Sequence, residues 1–210
     1  MPPKSTNRPT LKPELVTKVY DLRGTHGSGK SSVVHRLLKR FGNVPIEKQN
    51  GEVIGHYMPD IDCCVVGKYE SACGGCDAIK SQEEVIARLT FFRSNPEVYG
   101  YRLILEGILV AHTYERYAKL ADEIGRENYT FMFLDTPLET CIERVRKRRI
   151  RQGNHKGYLP ENLTKDHQVI QVRLPQRFKD AGYQTTIIDH RDPVFDVLIT
   201  MGLFKEAEAL

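Results

Sequence analysis

One run of the chain has residue types and spacing suited to phosphate chemistry: Gly24-Thr25-His26-Gly27-Ser28-Gly29-Lys30-Ser31. It fits GxxxxGK[ST]. Glycines at these places let successive backbone N–H groups turn toward an anion, at a helix N-terminus whose dipole favours negative charge. Lys30 is spaced to bridge the β- and γ-phosphates of a nucleoside triphosphate, and the Ser31 hydroxyl to ligate Mg²⁺. The expected ligands are therefore ATP, held by the eight residues of the run, and Mg²⁺. A chance glycine turn is the alternative, but the run follows an apolar stretch of strand length and opens a helical pattern, as the chemistry requires.

Two acids compete for the reacting end. Leu103-Ile104-Leu105-Glu106-Gly107 is an apolar strand ending in a carboxylate, a position from which Mg²⁺ can be held through water, or simply an acid at a turn. In open parallel sheets ligands lie beyond the carboxyl ends of the strands. Asp62 precedes the strand at 63–67 and belongs at its far end, whereas Asp77 lies in the loop that follows. Asp77 is thus the preferred base for an attacking hydroxyl, with Glu106 second. The competing role for Asp77 is a cap for the next helix.

Arg144, Arg146, Lys147, Arg148, Arg149 and Arg151 place a dense run of cations just before a loop containing Gly153, Gly157 and Pro160. Arg144, Arg148 and Arg151 share one helical face. Closing on a transferring phosphoryl group, such a face would stabilise charge spread over three oxygens, with Arg148 and Arg151 as catalytic cations of a lid at about 144–162. Contact with a nucleic-acid backbone, or a merely solvated face, are the other readings. Cys73-Gly74-Gly75-Cys76 invites zinc or redox chemistry, yet no second CxxC follows at zinc spacing. Gly74 and Gly75 fit better a loop whose backbone approaches a substrate closely.

These residues need a frame. Strand-like runs at 18–23, 63–67, 101–105, 129–134 and 184–188 alternate with helical patterns, which predicts βαβ units in a mostly parallel five-stranded sheet. Helices are expected over 31–41; over 81–94, with a Ser81/Glu84 capping box; over 112–124, closed by Gly125; and from Thr136 as N-cap with Pro137 and Glu139. A helix over 164–181 should bend near Pro175, and a last one should run from Pro193 to Gly202.

With 31 Lys+Arg against 27 Asp+Glu and 40% hydrophobic residues over 210, the composition is that of a folded, soluble chain, not a fibrous or disordered one. The apolar windows at 103–111 and 131–134 are too short for a bilayer, so no membrane association is expected. Residues 1–16, rich in proline and lysine or arginine without an apolar stretch, read as a flexible basic tail of a cytoplasmic protein, with 17–210 as one domain. Five cysteines, an odd and clustered set, do not make a secreted disulfide framework. A motor would need more chain; a small phosphotransferase fits the length.

With the loop 24–31, the strand-end Glu106, the turn Asp135-Thr136-Pro137-Leu138-Glu139 and the basic helix after it, the chain resembles the thymidylate kinase-like branch of small P-loop kinases over nearly its full length. Ile104-Leu105-Glu106-Gly107-Ile108-Leu109 also resembles the corresponding strand of uridine kinases. Within the branch, Arg23-Gly24-Thr25-His26-Gly27-Ser28-Gly29-Lys30, Cys73-Gly74-Gly75-Cys76-Asp77 and Asp189-His190-Arg191-Asp192-Pro193 look like phage-encoded 5-hydroxymethyluridine DNA kinases. The resemblance implies a three-layer αβα P-loop NTPase fold with an Arg-rich lid. It also implies phosphorylation by ATP of the hydroxymethyl group of 5-hydroxymethyluracil in DNA, a step toward hypermodified thymidines, in the host cytoplasm. Glu106-Gly107 replaces the Asp-Arg-Ser/Tyr of free thymidylate kinases, which weighs against the alternative, a kinase of free nucleosides or nucleotides. A nucleotide-dependent switch or nucleic-acid-binding module is the non-enzymatic alternative. A DNA base would have to be flipped or single-stranded to enter a cleft, with Tyr57, Tyr69, Phe91, Phe92, Tyr99 and Tyr101 as stacking candidates.

Overall fold

Alternation along the strands explains the layers. Val19, Leu103, Leu105, Phe131 and Phe133 belong to one apolar cluster, while Tyr20, Leu22, Ile104, Met132 and Leu134 belong to another. Successive side chains of a strand face opposite ways, so both faces of the sheet are covered and each strand reads as an unbroken apolar run. The computed structural model describes residues 16–70, 74–153 and 160–204. Its strands are β1 (Lys18–Arg23), β2 (Val44–Glu47), β3 (Val53–Met58), β4 (Cys63–Val66), β5 (Arg102–Glu106), β6 (Tyr129–Asp135) and β7 (Gln184–Asp189). One face carries α1 (Lys30–Phe41) and α9 (Pro193–Thr200). The other carries α2 (Gln82–Arg93), the single turn α4 (Ile108–Ala111), α5 (Glu115–Ile124) and α8 (Leu174–Asp180). A short α3 (Pro96–Tyr99) links α2 to β5, and α6 (Leu138–Arg151) and α7 (Pro160–His167) pack together through Val145 and Leu163. No helix among the described residues is long and apolar enough to cross a membrane.

The sheet order is β2-β3-β4-β5-β1-β6-β7, seven strands instead of the expected five. The five expected strands form the parallel run β4-β5-β1-β6-β7. The addition is the hairpin β2–β3, antiparallel to β4. Its turn holds Asn50-Gly51, a hairpin signal. β2 escapes a search for apolar runs because it is an exposed edge carrying Pro45 and Glu47, and β3 because Gly55 and His56 break its pattern. Gly55 is needed there: a Cβ would lie 2.8 Å from both the Phe92 ring and the Val65 carbonyl oxygen.

Three helix expectations need correction. The helix expected over 112–124 starts later, as α5 at Glu115, and the separate single turn α4 precedes it, ending before Thr113, whose carbonyl accepts a side chain of β1. Thr136 is not a cap: α6 begins at Leu138 with no side-chain cap, and the Thr136 hydroxyl donates instead to the Ser28 carbonyl at 2.9 Å. The long C-terminal helix does not bend simply at Pro175. It widens over Gln168–Arg173 into π-helical turns, just ahead of a proline that cannot donate to the Gln171 carbonyl. Ser81 caps α2 as expected, with the Glu84 amide donating to its hydroxyl at 3.2 Å, but the Glu84 carboxylate accepts from Arg88 Nε at 3.1 Å, so only this half of the box is seen.

Candidate active site

The loop 24–31 leaves the carboxyl end of β1, the middle strand of the parallel run, and turns into α1 through Gly29 at φ 106°. That left-handed conformation favours glycine. Gly27, at φ 79°, faces α6 so closely that a Cβ would lie 2.5 Å from the Cys141 carbonyl oxygen. Lys30 is buried, its Nζ folded back to donate to the carbonyls of Gly24 at 2.8 Å and Thr25 at 3.2 Å. Burial pushes its ammonium pKa down, against the opposing pull of the Glu106 and Asp77 carboxylates. Around the loop opens a cleft of about 620 Å³, which also takes in Arg36, Asp77, Arg144, Arg148, Arg151, Gln152, His190 and Pro193.

The structure therefore brings Lys30, Asp77, Arg148 and Arg151 to one cleft with the phosphate loop, as the sequence suggested. Glu106 is fully buried next to the cleft, not on its lining. Burial raises its pKa to about 7, against the pull of Lys30. Ser31 and Tyr69 lie beside it, yet neither carboxylate oxygen completes a hydrogen bond of good geometry among the described residues. An orphaned buried carboxylate next to a phosphate-loop serine fits a site for a hard divalent cation. Gly75 makes this packing possible, because a Cβ there would collide with Glu106 Oε1.

Asp77 is exposed at the cleft, yet it also caps a helix. Its Oδ1 accepts the amides of Ile108 at 2.7 Å and Leu109 at 3.2 Å, so the capped element is α4, far on in sequence, and not the adjacent α2. The three arginines divide similarly. Arg144 Nη1 donates to the carbonyls of Ser28 at 3.1 Å and Gly27 at 3.3 Å, which makes it a brace of the loop backbone. Arg148 and Arg151 line the cleft one and two turns further along α6. Of the expected lid, residues 154–159 lie outside the described residues, as do 1–15 of the tail and Cys73 of the CxxC pair. Among the described residues no group of His, Cys, Asp and Glu is arranged to hold a metal by itself.

The aromatic candidates are not at the cleft. Tyr57 donates to Asp62 at 3.0 Å, the Tyr101 amide to the same carboxylate at 3.1 Å, and Tyr99 packs on Phe91 and Phe92. Tyr57, Tyr99 and Tyr101 lie toward the amino ends of β4 and β5, and none of these side chains lines the cleft. Tyr69 is at the correct end but buried beside Glu106. The cleft's ring systems are instead His26 and His190. His26 has its pKa lowered by burial and by Lys30, partly offset by Asp77. Neither His190 nor Arg36 is among the expected site residues, although His190 stands in the Asp189-His190-Arg191-Asp192-Pro193 run that marks the resemblance; the β7–α9 turn and α1 bring them to the cleft.

Residues 3–174 match the 5-hmdU DNA kinase family. The chain is 30% identical over 132 residues to 5-hmdU DNA kinase 1 of Salmonella phage ViI, covering 62% of this chain and 59% of that protein. It thus spans less than two thirds of that relative. It is 28% identical over 185 residues to the 5-hmdU DNA kinase of Delftia phage PhiW-14, with 84% of this chain and 69% of that one covered. With the 5-hmdU DNA kinase of Pseudomonas phage PaMx11 it shares 31% identity over 153 residues, 69% of this chain and 77% of that one. A match over most of the chain, on a sheet that carries the phosphate loop on the middle strand of its parallel run, places this protein in the 5-hmdU DNA kinase family.

Proposed function

We propose that this chain transfers the γ-phosphoryl group of ATP to the hydroxymethyl oxygen of 5-hydroxymethyluracil in DNA. Membership of the family across residues 3–174 carries this reading, since the aligned relatives bear that activity as their name. The convergence of the phosphate loop, Asp77 and the α6 arginines on one cleft supports the reaction type. The hydroxymethyl oxygen attacks the γ-phosphorus, the bond to the β–γ bridging oxygen breaks, and that oxygen leaves on ADP. The proton of the attacking hydroxyl goes to the Asp77 carboxylate. Lys30 turns from the loop carbonyls to the phosphate oxygens, while Arg148 and Arg151, in a lid at 144–162, stabilise charge that grows in the transition state. Ser31 and Glu106 would hold Mg²⁺, which when bound neutralises phosphate charge. The base must leave the duplex stack or be single-stranded to reach Asp77.

The test is incubation with γ-labelled ATP and either 5-hydroxymethyluracil-containing DNA or a panel of nucleosides and nucleotides, with Lys30→Ala as the inactive control. Label in the DNA is expected. Label confined to the small molecules overturns the DNA reading in favour of a free nucleoside or nucleotide kinase.

A further inference from the structure

Arg23, the last residue of β1 and the neighbour of the phosphate loop, is fully buried together with Asp21. Its Nε and Nη2 donate to Asp21 Oδ2 at 2.9 and 2.7 Å, and Tyr129 donates to the same oxygen at 3.1 Å. The guanidinium carbon lies 4.9 Å from the ring centres of Phe131 and Phe178 and 5.1 Å from that of Tyr117. Replacing a buried ion pair by apolar residues of similar volume is often neutral or stabilising, so stability alone is a poor reason for this one.

The remaining guanidinium nitrogen points to a different reason. Arg23 Nη1 donates to the Thr113 carbonyl at 3.1 Å and reaches the Ala111 carbonyl at 3.5 Å, both at the end of α4. A single turn of four residues does not hold itself together in isolation. This one is held by side chains along its length. Asp77 accepts its first two amides, Gln82 Nε2 donates to the Leu109 carbonyl at 3.2 Å, and Arg23 takes the last carbonyls. We propose that Arg23 is a positioning residue that suspends α4 from the strand carrying the phosphate loop, and so fixes the Asp77 carboxylate relative to the transferring phosphoryl group. The inference rests on the reading of Asp77 as the acceptor-side base.

The test uses the whole chain with ATP and 5-hydroxymethyluracil-containing DNA, and compares the double substitution Asp21→Leu with Arg23→Met, Asp77→Asn, and all three together. The apolar pair variant should stay folded, with KM for ATP within about threefold of wild type, while kcat falls by about tenfold or more. In the Asp77→Asn background the pair should change kcat by less than about twofold, because both losses act through one carboxylate. If the pair variant does not fold, Arg23→Lys carries the same comparison, keeping the charge beside Asp21 and giving up the fork to Thr113. A folded variant with unchanged kcat, or losses that multiply in full, overturns the positioning role alone. A silent Asp77→Asn overturns the base assignment, and this inference with it.

Discussion

Gly27 and Cys141 meet so closely that a Cβ on the glycine would lie 2.5 Å from the cysteine's carbonyl oxygen and 2.9 Å from a Val145 methyl. The phosphate loop is therefore shaped from outside, by the first turns of α6, as well as by its own glycines. A Gly27→Ala chain meets a backbone atom that cannot move aside, in a left-handed conformation that costs a non-glycine residue about 1 kcal/mol or more. ATP affinity should fall at least about tenfold, with a lowered melting temperature, both readable by calorimetry. Wild-type affinity in this variant would mean that the loop and α6 separate when nucleotide binds.

The arginines of α6 should separate into two phenotypes. Arg144→Ala removes the donor to the Gly27 and Ser28 carbonyls and should weaken ATP binding, measured as Kd. Arg148→Ala and Arg151→Ala should instead lower kcat by about tenfold or more with Kd for ATP little changed, since a closing cation acts mainly in the transition state. Should these two variants raise only KM for DNA and flatten its salt dependence, they contact the DNA backbone.

Asp77 offers a clean separation of cap from base. Asparagine keeps an Oδ1 that can accept the Ile108 and Leu109 amides, so Asp77→Asn should melt near wild type while kcat drops about 100-fold. Asp77→Ala should lose both, with the melting temperature falling as a lost cap of about 1 kcal/mol requires. Equal activity of the asparagine variant and wild type would remove Asp77 from proton transfer.

Glu106 sets a pH dependence in the absence of divalent metal. Burial raises its pKa in the folded chain from the usual 4.5 to about 7. The folded state thus holds this proton where the unfolded state has released it. Its contribution to stability is fully present below about pH 4.5 and is lost as the pH rises to about 7. Melting curves from pH 5 to 8 should show wild type losing stability relative to Glu106→Gln, whose amide stays neutral. Added Mg²⁺ should recover wild type at pH 8 and leave the variant unmoved. Parallel curves for the two proteins, with and without Mg²⁺, would exclude a buried carboxylate that changes charge there.

What the chain's own order determined is what depends on neighbours in sequence. The glycine run, the apolar strand before it and the amphipathic helix after it are one continuous segment, so the phosphate loop was legible at once. The five parallel strands were legible too, because strands buried on both faces leave continuous apolar runs, and so was the Ser81 cap, whose bond closes within four residues. Tertiary structure alone decided the rest. The β2–β3 hairpin earns its place by pairing with β4, with little apolar pattern of its own. Asp77 reaches amides 31 and 32 residues away, Arg144 reaches a loop more than a hundred residues back, and Thr136, just ahead of α6, holds Ser28 instead of capping that helix. By contrast, Tyr99 and Tyr101 share the aromatic chemistry expected of a base platform but stand at the amino end of β5, where the rule that placed Asp62 away from the ligand applies to them equally. Residue type names the chemistry a side chain can do; which carbonyl, carboxylate or ring it meets is set by contacts between segments far apart in the chain.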